Sequence, residues 1–66
     1  MFVWQYLDEA GNQLGESHRF PERAEAEAWM SEAWADLRER GVEEVALIEV
    51  ETDRRVYRMG LDPVER

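Results

Sequence analysis

Two carboxylates in the second half of the chain have a spacing that chemistry could use. Glu49 and Glu51 alternate onto one face of an expected strand, about 7 Å apart. Carboxylates near this distance can act as general acid and base in glycoside hydrolysis or bind a divalent cation. Arg58 is expected opposite Glu49 on the neighbouring strand, where it would form a structural ion pair instead. The sequence therefore favours a solvated strand face over a catalytic pair.

The single histidine and the glycines give no stronger indication of catalysis. His18 could act as a general base, but Ser17 is expected on the opposite face of the same strand, and no motif supplies another nucleophile. The four glycines are isolated and form no phosphate-binding loop. The chain contains no cysteine, which excludes disulfides and thiolate metal sites, and one histidine cannot form a His-rich zinc site. We expect no cofactor, no metal and no enzymatic activity.

Two of the three tryptophans lie in the segment "AWMSEAW", which is typical of a helix. At about 100° per residue, one stripe of this helix is apolar and made mostly of small side chains. The stripe consists of Ala26, Met30, Ala33 and Leu37. Trp29 and Trp34 bracket it on opposite sides. We assign Trp34 to the core, and Trp29 either to the edge of the core, with its N–H toward water, or to a binding surface.

The N-terminal segment predicts a hairpin. Residues 2–7, "FVWQYL", are rich in strand-forming types, and "DEAGN" follows as a turn. Asp8 and Gly11 suit a type I turn closed by a glycine bulge. The second strand, "QLGESHRF", is polar and contains Gly15, so it is expected at an edge of the sheet. A three-residue loop sets the pairs Tyr6 with Leu14, Trp4 with Glu16 and Phe2 with His18.

The middle of the chain predicts one helix, from about residue 21 to residue 40. It is rich in alanine and glutamate, with proline only where the first turn accepts it. Gly41 suits the left-handed position of a Schellman cap, in which Val42 closes onto Leu37. The start is less well marked, because no preferred N-cap residue precedes it.

A second hairpin is predicted from "EEVALIEV" and "RVYRMGL", joined by a short turn at Thr52–Arg55. The expected register pairs Val50 with Tyr57, Ile48 with Met59 and Ala46 with Leu61. The opposite face then pairs Glu49 with Arg58 and leaves Leu47 beside Gly60. This register places one wholly apolar face against the helix.

The element order is therefore ββαββ, an α+β fold. We expect a four-stranded antiparallel sheet with the helix packed on one face. Residues 1–62 form a single domain, and residues 63–66 form a frayed C-terminal tail. The order of the strands within the sheet does not follow from the sequence.

The outward face of this sheet is expected to be both apolar and charged. With Trp29, the candidate interface residues are Val3, Leu7, Val45, Leu47, Glu49 and Arg58. A second copy or another protein that covered this face would add stability to a core expected to supply about 3 to 5 kcal/mol. We therefore expect a homodimer or a protein partner.

The charge excludes some classes of partner. The 66 residues include 16 acidic and 8 basic side chains, for a net charge of −8, and no lysine. Direct nucleic-acid binding, which needs clustered basic residues, is disfavoured. No apolar run is long enough to span a membrane, and the N-terminus does not look like a signal peptide, so we expect a cytoplasmic protein. The acidic surface either keeps the protein soluble or binds a basic partner.

The segments "FVWQYLDEAG", "RFPERAEAEAWMSEAW", "GVEEVALIEV" and "VYRMGL" together make a familiar pattern. Nearly the whole chain resembles short uncharacterised actinobacterial ββαββ proteins and, more loosely, small bacterial domains of unknown function. The resemblance implies the fold and no activity. The main hypothesis is a non-catalytic protein-interaction module. The alternatives are an acidic nucleic-acid mimic or decoy that binds a basic protein, and an accessory protein that binds a small ligand between helix and sheet.

Overall fold

The order of elements along the chain confirms the predicted α+β fold. A computed structural model describes residues 1–61, so the predicted tail at 63–66 lies outside the described residues. The elements are β1 (Phe2–Leu7), β2 (Gln13–Glu16), α1 (Arg23–Glu39), β3 (Glu44–Glu49) and β4 (Arg54–Gly60). All strand pairs are antiparallel, in the order β2-β1-β3-β4. The polar β2 is at an edge, as predicted, and the two apolar strands β1 and β3 are central.

The core lies between α1 and one face of the sheet. Its buried members are Trp4, Phe20, Ala26, Met30, Leu37, Val42, Val45, Leu47 and Leu61. The helix contributes the stripe that the sequence predicts, with Ala33 at its margin. Small side chains in this stripe leave room for the bulky Trp4, which is fully buried. The indole N–H of Trp4 donates to the Ala26 carbonyl oxygen at 2.9 Å, so its polar atom is satisfied inside the core.

The helix runs in the same direction as β1 and β4. Just before α1, Phe20 exchanges two backbone hydrogen bonds with Phe2, at the start of β1. Just after α1, the Glu43 N–H donates to the Leu7 carbonyl oxygen, at the end of β1. Because β1 and β4 are both antiparallel to β3, β4 shares this direction.

The C-terminal end of α1 matches the prediction, whereas its N-terminal end lies later than predicted. The helix begins at Arg23, two residues after the expected start, and its N-cap Glu22 makes no side-chain capping bond. At the other end, the Val42 N–H donates to Leu37 O at 3.1 Å, which confirms the Schellman cap. Gly41 adopts φ = 95°, the left-handed conformation that this cap requires.

The first turn is confirmed, but the strand register beyond it is wrong. The Gly11 N–H donates to Asp8 O at 3.0 Å, and Gly11 has φ = 89°. A bulge then displaces the expected partner of Tyr6, so Gly15 instead of Leu14 lies opposite it. The Tyr6 ring packs over Gly15, 3.7 Å from where a side chain there would begin, which is ordinary van der Waals contact, and Leu14 is left exposed. The other two pairs also shift: Glu16 lies opposite Gln5, and Phe20 opposite Phe2.

The register of the second hairpin is also wrong. Tyr57 pairs with Leu47 instead of Val50, a displacement of three residues. The loop spans residues 50–53, earlier than expected, and Asp53 closes it in the left-handed conformation (φ = 54°). An odd displacement exchanges the two faces of a strand. The pairs predicted for Ile48, Ala46 and Glu49 therefore do not form; their partners are Arg55, Arg58 and Arg54.

Candidate interaction surfaces

The exchanged faces of β3 change the predicted interface. Val45 and Leu47, expected on the outer face, point toward α1 and are fully buried in the core. Ala46 and Ile48 take their places on the outer face, opposite Gln5 and Val3 of β1. The loop at residues 50–53 is polar for most of its length, and polar residues also flank it on both sides. The alternation of apolar and polar residues therefore did not show where the loop begins, and it did not distinguish the two registers.

The outer face of the sheet offers little apolar surface to a partner. Val3 and Leu7 lie on this face, as expected, but their exposures are only 5% and 6%. Ala46 between them is fully buried, and Ile48 is half-buried. The apolar centre of this face is thus already shielded from water within the chain. A second copy placed over it would bury little additional apolar area.

The two charged residues of the predicted interface do not pair with each other. Glu49 accepts a bond from the amino group of Met1 at 3.1 Å. This bond is the main cause of the lowered pKa of the Glu49 carboxyl. Arg58 pairs instead with Glu44 at 3.2 Å. Glu51 lies in the loop after β3, so the paired carboxylates expected on one strand face do not form.

Trp29 belongs to a cluster of three aromatic rings at the β2 side of the helix. The ring centroids of His18 and Phe20 are 4.3 Å apart, and that of Trp29 lies 5.6 Å from His18 and 5.5 Å from Phe20. Phe20 is buried, Trp29 half-buried and His18 exposed. Trp29 therefore covers an edge of the core. Ser17, next to His18, accepts the Trp4 backbone N–H, which ties this segment to β1.

A second cluster joins α1 to β4. The Tyr57 hydroxyl donates to Glu27 Oε2 at 2.9 Å, and the Arg23 Nε donates to the same oxygen at 2.9 Å. The Arg23 guanidinium also lies 5.2 Å from the centre of the Tyr57 ring. The bond from Arg23 lowers the pKa of Glu27, whereas burial and then the bond to Glu27 raise the pKa of Tyr57.

Trp34 is exposed, which overturns its assignment to the core. It follows Glu27 by seven residues and so projects from nearly the same side of α1, facing β4. Met59 follows Tyr57 by two positions and lies on the same face of the sheet. Because α1 and β4 run in one direction, Trp34 and Met59 both lie beyond the contact of Tyr57 with Glu27. Their exposures are 41% and 39%, so both side chains leave apolar surface exposed on the flank between α1 and β4.

The strand beside this flank carries a concentration of positive charge. Arg54, Arg55 and Arg58 are exposed and are three of the eight arginines in the chain, and β4 contains no acidic residue. Within residues 1–61, neither Arg54 nor Arg55 forms an ion pair. The net charge of the sequence does not indicate this strand, because the neighbouring loop and tail contain compensating carboxylates.

Comparisons with protein-family models, curated proteins and solved structures found no match to this chain. In the described part of the chain, no helix is long and apolar enough to cross a membrane. Residues 1–61 also contain no group of three or more His, Asp or Glu side chains arranged to hold a metal ion.

Proposed function

We propose that this chain is a small, non-catalytic protein-interaction module that binds its partner through the flank between α1 and β4. The observation that carries the proposal is the exposure of Trp34 and Met59, which the geometry of α1 and β4 places on this same flank. Tryptophan, methionine and arginine are enriched at the centres of protein interfaces, and Arg54 and Arg55 lie on the adjoining strand. A cytoplasmic location is part of the proposal, in keeping with a small domain without cysteine.

The flank has more support as an interface than the surfaces that the sequence suggested. Val3 and Leu7 are already shielded, and Val45 and Leu47 belong to the core. Trp29 is half-buried against two other rings, so less of it is available for a partner. A homodimer through the outer sheet face would gain little from burial.

The proposal is tested by affinity capture from native lysate with tagged variants, followed by measurement of affinity for the purified partner. Trp34→Ala should lose the partner, and Met59→Ala should weaken binding. Leu14→Ala is the matched control, since Leu14 is an apolar side chain that is at least as exposed but lies on the opposite edge strand. Thermal unfolding should be similar in all three variants. Equal binding by Trp34→Ala and wild type would contradict the proposal.

A second candidate function, an acidic mimic of nucleic acid, is favoured by the outward face of α1. Four exposed carboxylates lie within one narrow sector of the helix, spread over about 21 Å. They are Glu25, Glu32, Asp36 and Glu39. A decoy complex should weaken steeply with ionic strength and should be lost in Glu25→Gln/Glu32→Gln, whereas Trp34→Ala should leave it intact.

A further inference from the structure

We infer that the open edge of β4 binds an extended segment of a partner protein in which acidic and apolar residues alternate, and that this segment adds a fifth strand to the sheet. The inference rests on the proposed function and specifies the chemistry of the partner. Three observations carry it: an unpaired strand edge, an excess of arginine on that strand, and exposed apolar side chains on one face only.

The edge of β4 has backbone groups available for pairing. Within residues 1–61, β4 pairs with β3 on one side and with no strand on the other. N–H and C=O groups alternate in direction along an antiparallel strand. The Leu61 N–H donates to Glu43 O on the β3 side, so the backbone groups of Gly60 and Arg58 point to the open side. An extended segment could pair with them as an added strand.

The charge of β4 selects an acidic occupant. Arg55 and Arg58 lie on the outer face of the sheet, opposite Ile48 and Ala46. Carboxylates on the outer face of an added strand would lie beside these guanidinium groups. The β4 strand of a second copy is disfavoured, because the pairing would bring two sets of three arginines onto one ladder.

The other face of the added strand would meet apolar surface. Met59 lies on the helix-facing side of β4, and Trp34, seven residues after Glu27, is on the side of α1 that faces β4; both side chains are exposed. Alternate residues of a strand point to opposite faces, so a segment that alternates acidic and apolar residues satisfies both sides at once. A uniformly acidic or uniformly apolar segment would satisfy only one.

Edge arginines can also act to prevent strand pairing, which is the competing explanation. The two explanations predict opposite effects of charge reversal. If the arginines recruit an acidic strand, Arg55→Glu weakens its binding. If they only block pairing, Arg55→Glu leaves acidic peptides unbound and promotes self-association.

The test uses a capped, fluorescein-labelled heptapeptide that alternates glutamate and valine, titrated with the full chain while fluorescence anisotropy is recorded. A lysine and valine peptide controls for charge, and an analogue with a central proline controls for strand pairing. We expect saturable binding of the first peptide alone, weakened about tenfold by Arg55→Glu or Trp34→Ala. Arg19→Glu, an exposed charge reversal outside β4, should leave the affinity unchanged.

Amide hydrogen exchange supplies a second readout, which would not change if the peptide bound by charge attraction without strand pairing. Binding should slow exchange at the Arg58 and Gly60 amides. The inference would be overturned if the heptapeptide did not bind, if the proline analogue bound equally well, or if protection were confined to α1. If a captured protein partner still depended on Trp34, the proposed function would stand without this inference. If neither the heptapeptide nor a Trp34-dependent partner bound, both the inference and the proposed function would be rejected. A doubled mass by light scattering, with protection at β4, would assign the edge to a second copy and would likewise overturn it.

Discussion

The indole N–H of Trp4 and the carbonyl oxygen of Ala26 form a buried hydrogen bond of 2.9 Å between β1 and α1. The Trp4 ring also packs edge-on against Tyr57, with 6.0 Å between ring centroids. One side chain thus contacts the helix and the strand at the far edge of the sheet. Ala26 permits this contact because its own side chain is small and fully buried.

Replacement of Trp4 by phenylalanine should destabilise the protein by about 2 to 4 kcal/mol, because it leaves a cavity and removes the buried bond. Trp34→Phe is the matched control, since Trp34 is exposed, and it should change the free energy of unfolding by less than about 0.5 kcal/mol. Urea denaturation measures both. Equal effects of the two substitutions would contradict the assignment of Trp4 to the core and Trp34 to the surface.

The register of β3 can be tested with two neighbouring residues. Leu47 is fully buried beneath α1, so Leu47→Ala should cost about 2 to 5 kcal/mol. Ile48 is half-buried on the outer face, and Ile48→Ala should cost markedly less. The register expected from the sequence requires the reverse order. Chemical denaturation of the two variants therefore decides between the registers.

The sequence predicts the elements of this fold better than it predicts their registers. Local signals suffice for the Gly11 turn and the Gly41 cap, because each depends on a few adjacent residues and a positive φ. The registers depend on bulges in β2 and β4, where one extra residue exchanges the faces of a strand. Both faces of β3 contain apolar residues, so alternation could not decide which face meets the helix.

The candidate site was missed for the same reason. Trp29 and Trp34 lie at similar angles from the centre of the buried stripe, on opposite sides, and the sequence does not show which flank is covered. Phe20 and His18 pack against Trp29 on one side of the helix. On the other side, Tyr57 contacts the helix at Glu27, seven residues before Trp34, and Trp34 remains exposed. The difference in exposure comes from these long-range contacts. The three arginines of "RRVYR" were the one local sequence signal that could have indicated β4 as part of an interaction surface.

The Schellman cap provides a test of backbone strain without steric contact. Gly41 has φ = 95°, and a Cβ added there would meet no atom within 4 Å. Gly41→Ala should therefore cost about 1 to 2 kcal/mol through conformation alone. Gly60→Ala, at a strand position with negative φ, should not be destabilising to this degree. Thermal unfolding of both variants would check the prediction, and an equal loss at both positions would contradict it.

Alkaline pH should destabilise the protein through Tyr57. Burial, and then the bond that its hydroxyl donates to Glu27, raise the pKa of Tyr57 above the ordinary value of 10.0. Because the pKa is higher in the folded state than in the unfolded one, the stabilisation is fully present below pH 10 and is lost as the pH rises through the folded-state pKa. Tyr57→Phe should be less stable than wild type at pH 7, by about 0.5 to 1.5 kcal/mol.

The same substitution should make stability less dependent on pH above 10. Burial also raises the pKa of Tyr6, so some dependence should remain in Tyr57→Phe and should disappear in the double variant with Tyr6→Phe. Denaturation midpoints measured from pH 8 to pH 11 would separate the two tyrosines. If Tyr57→Phe followed the wild-type curve throughout this range, the Tyr57 hydroxyl would not hold β4 against α1.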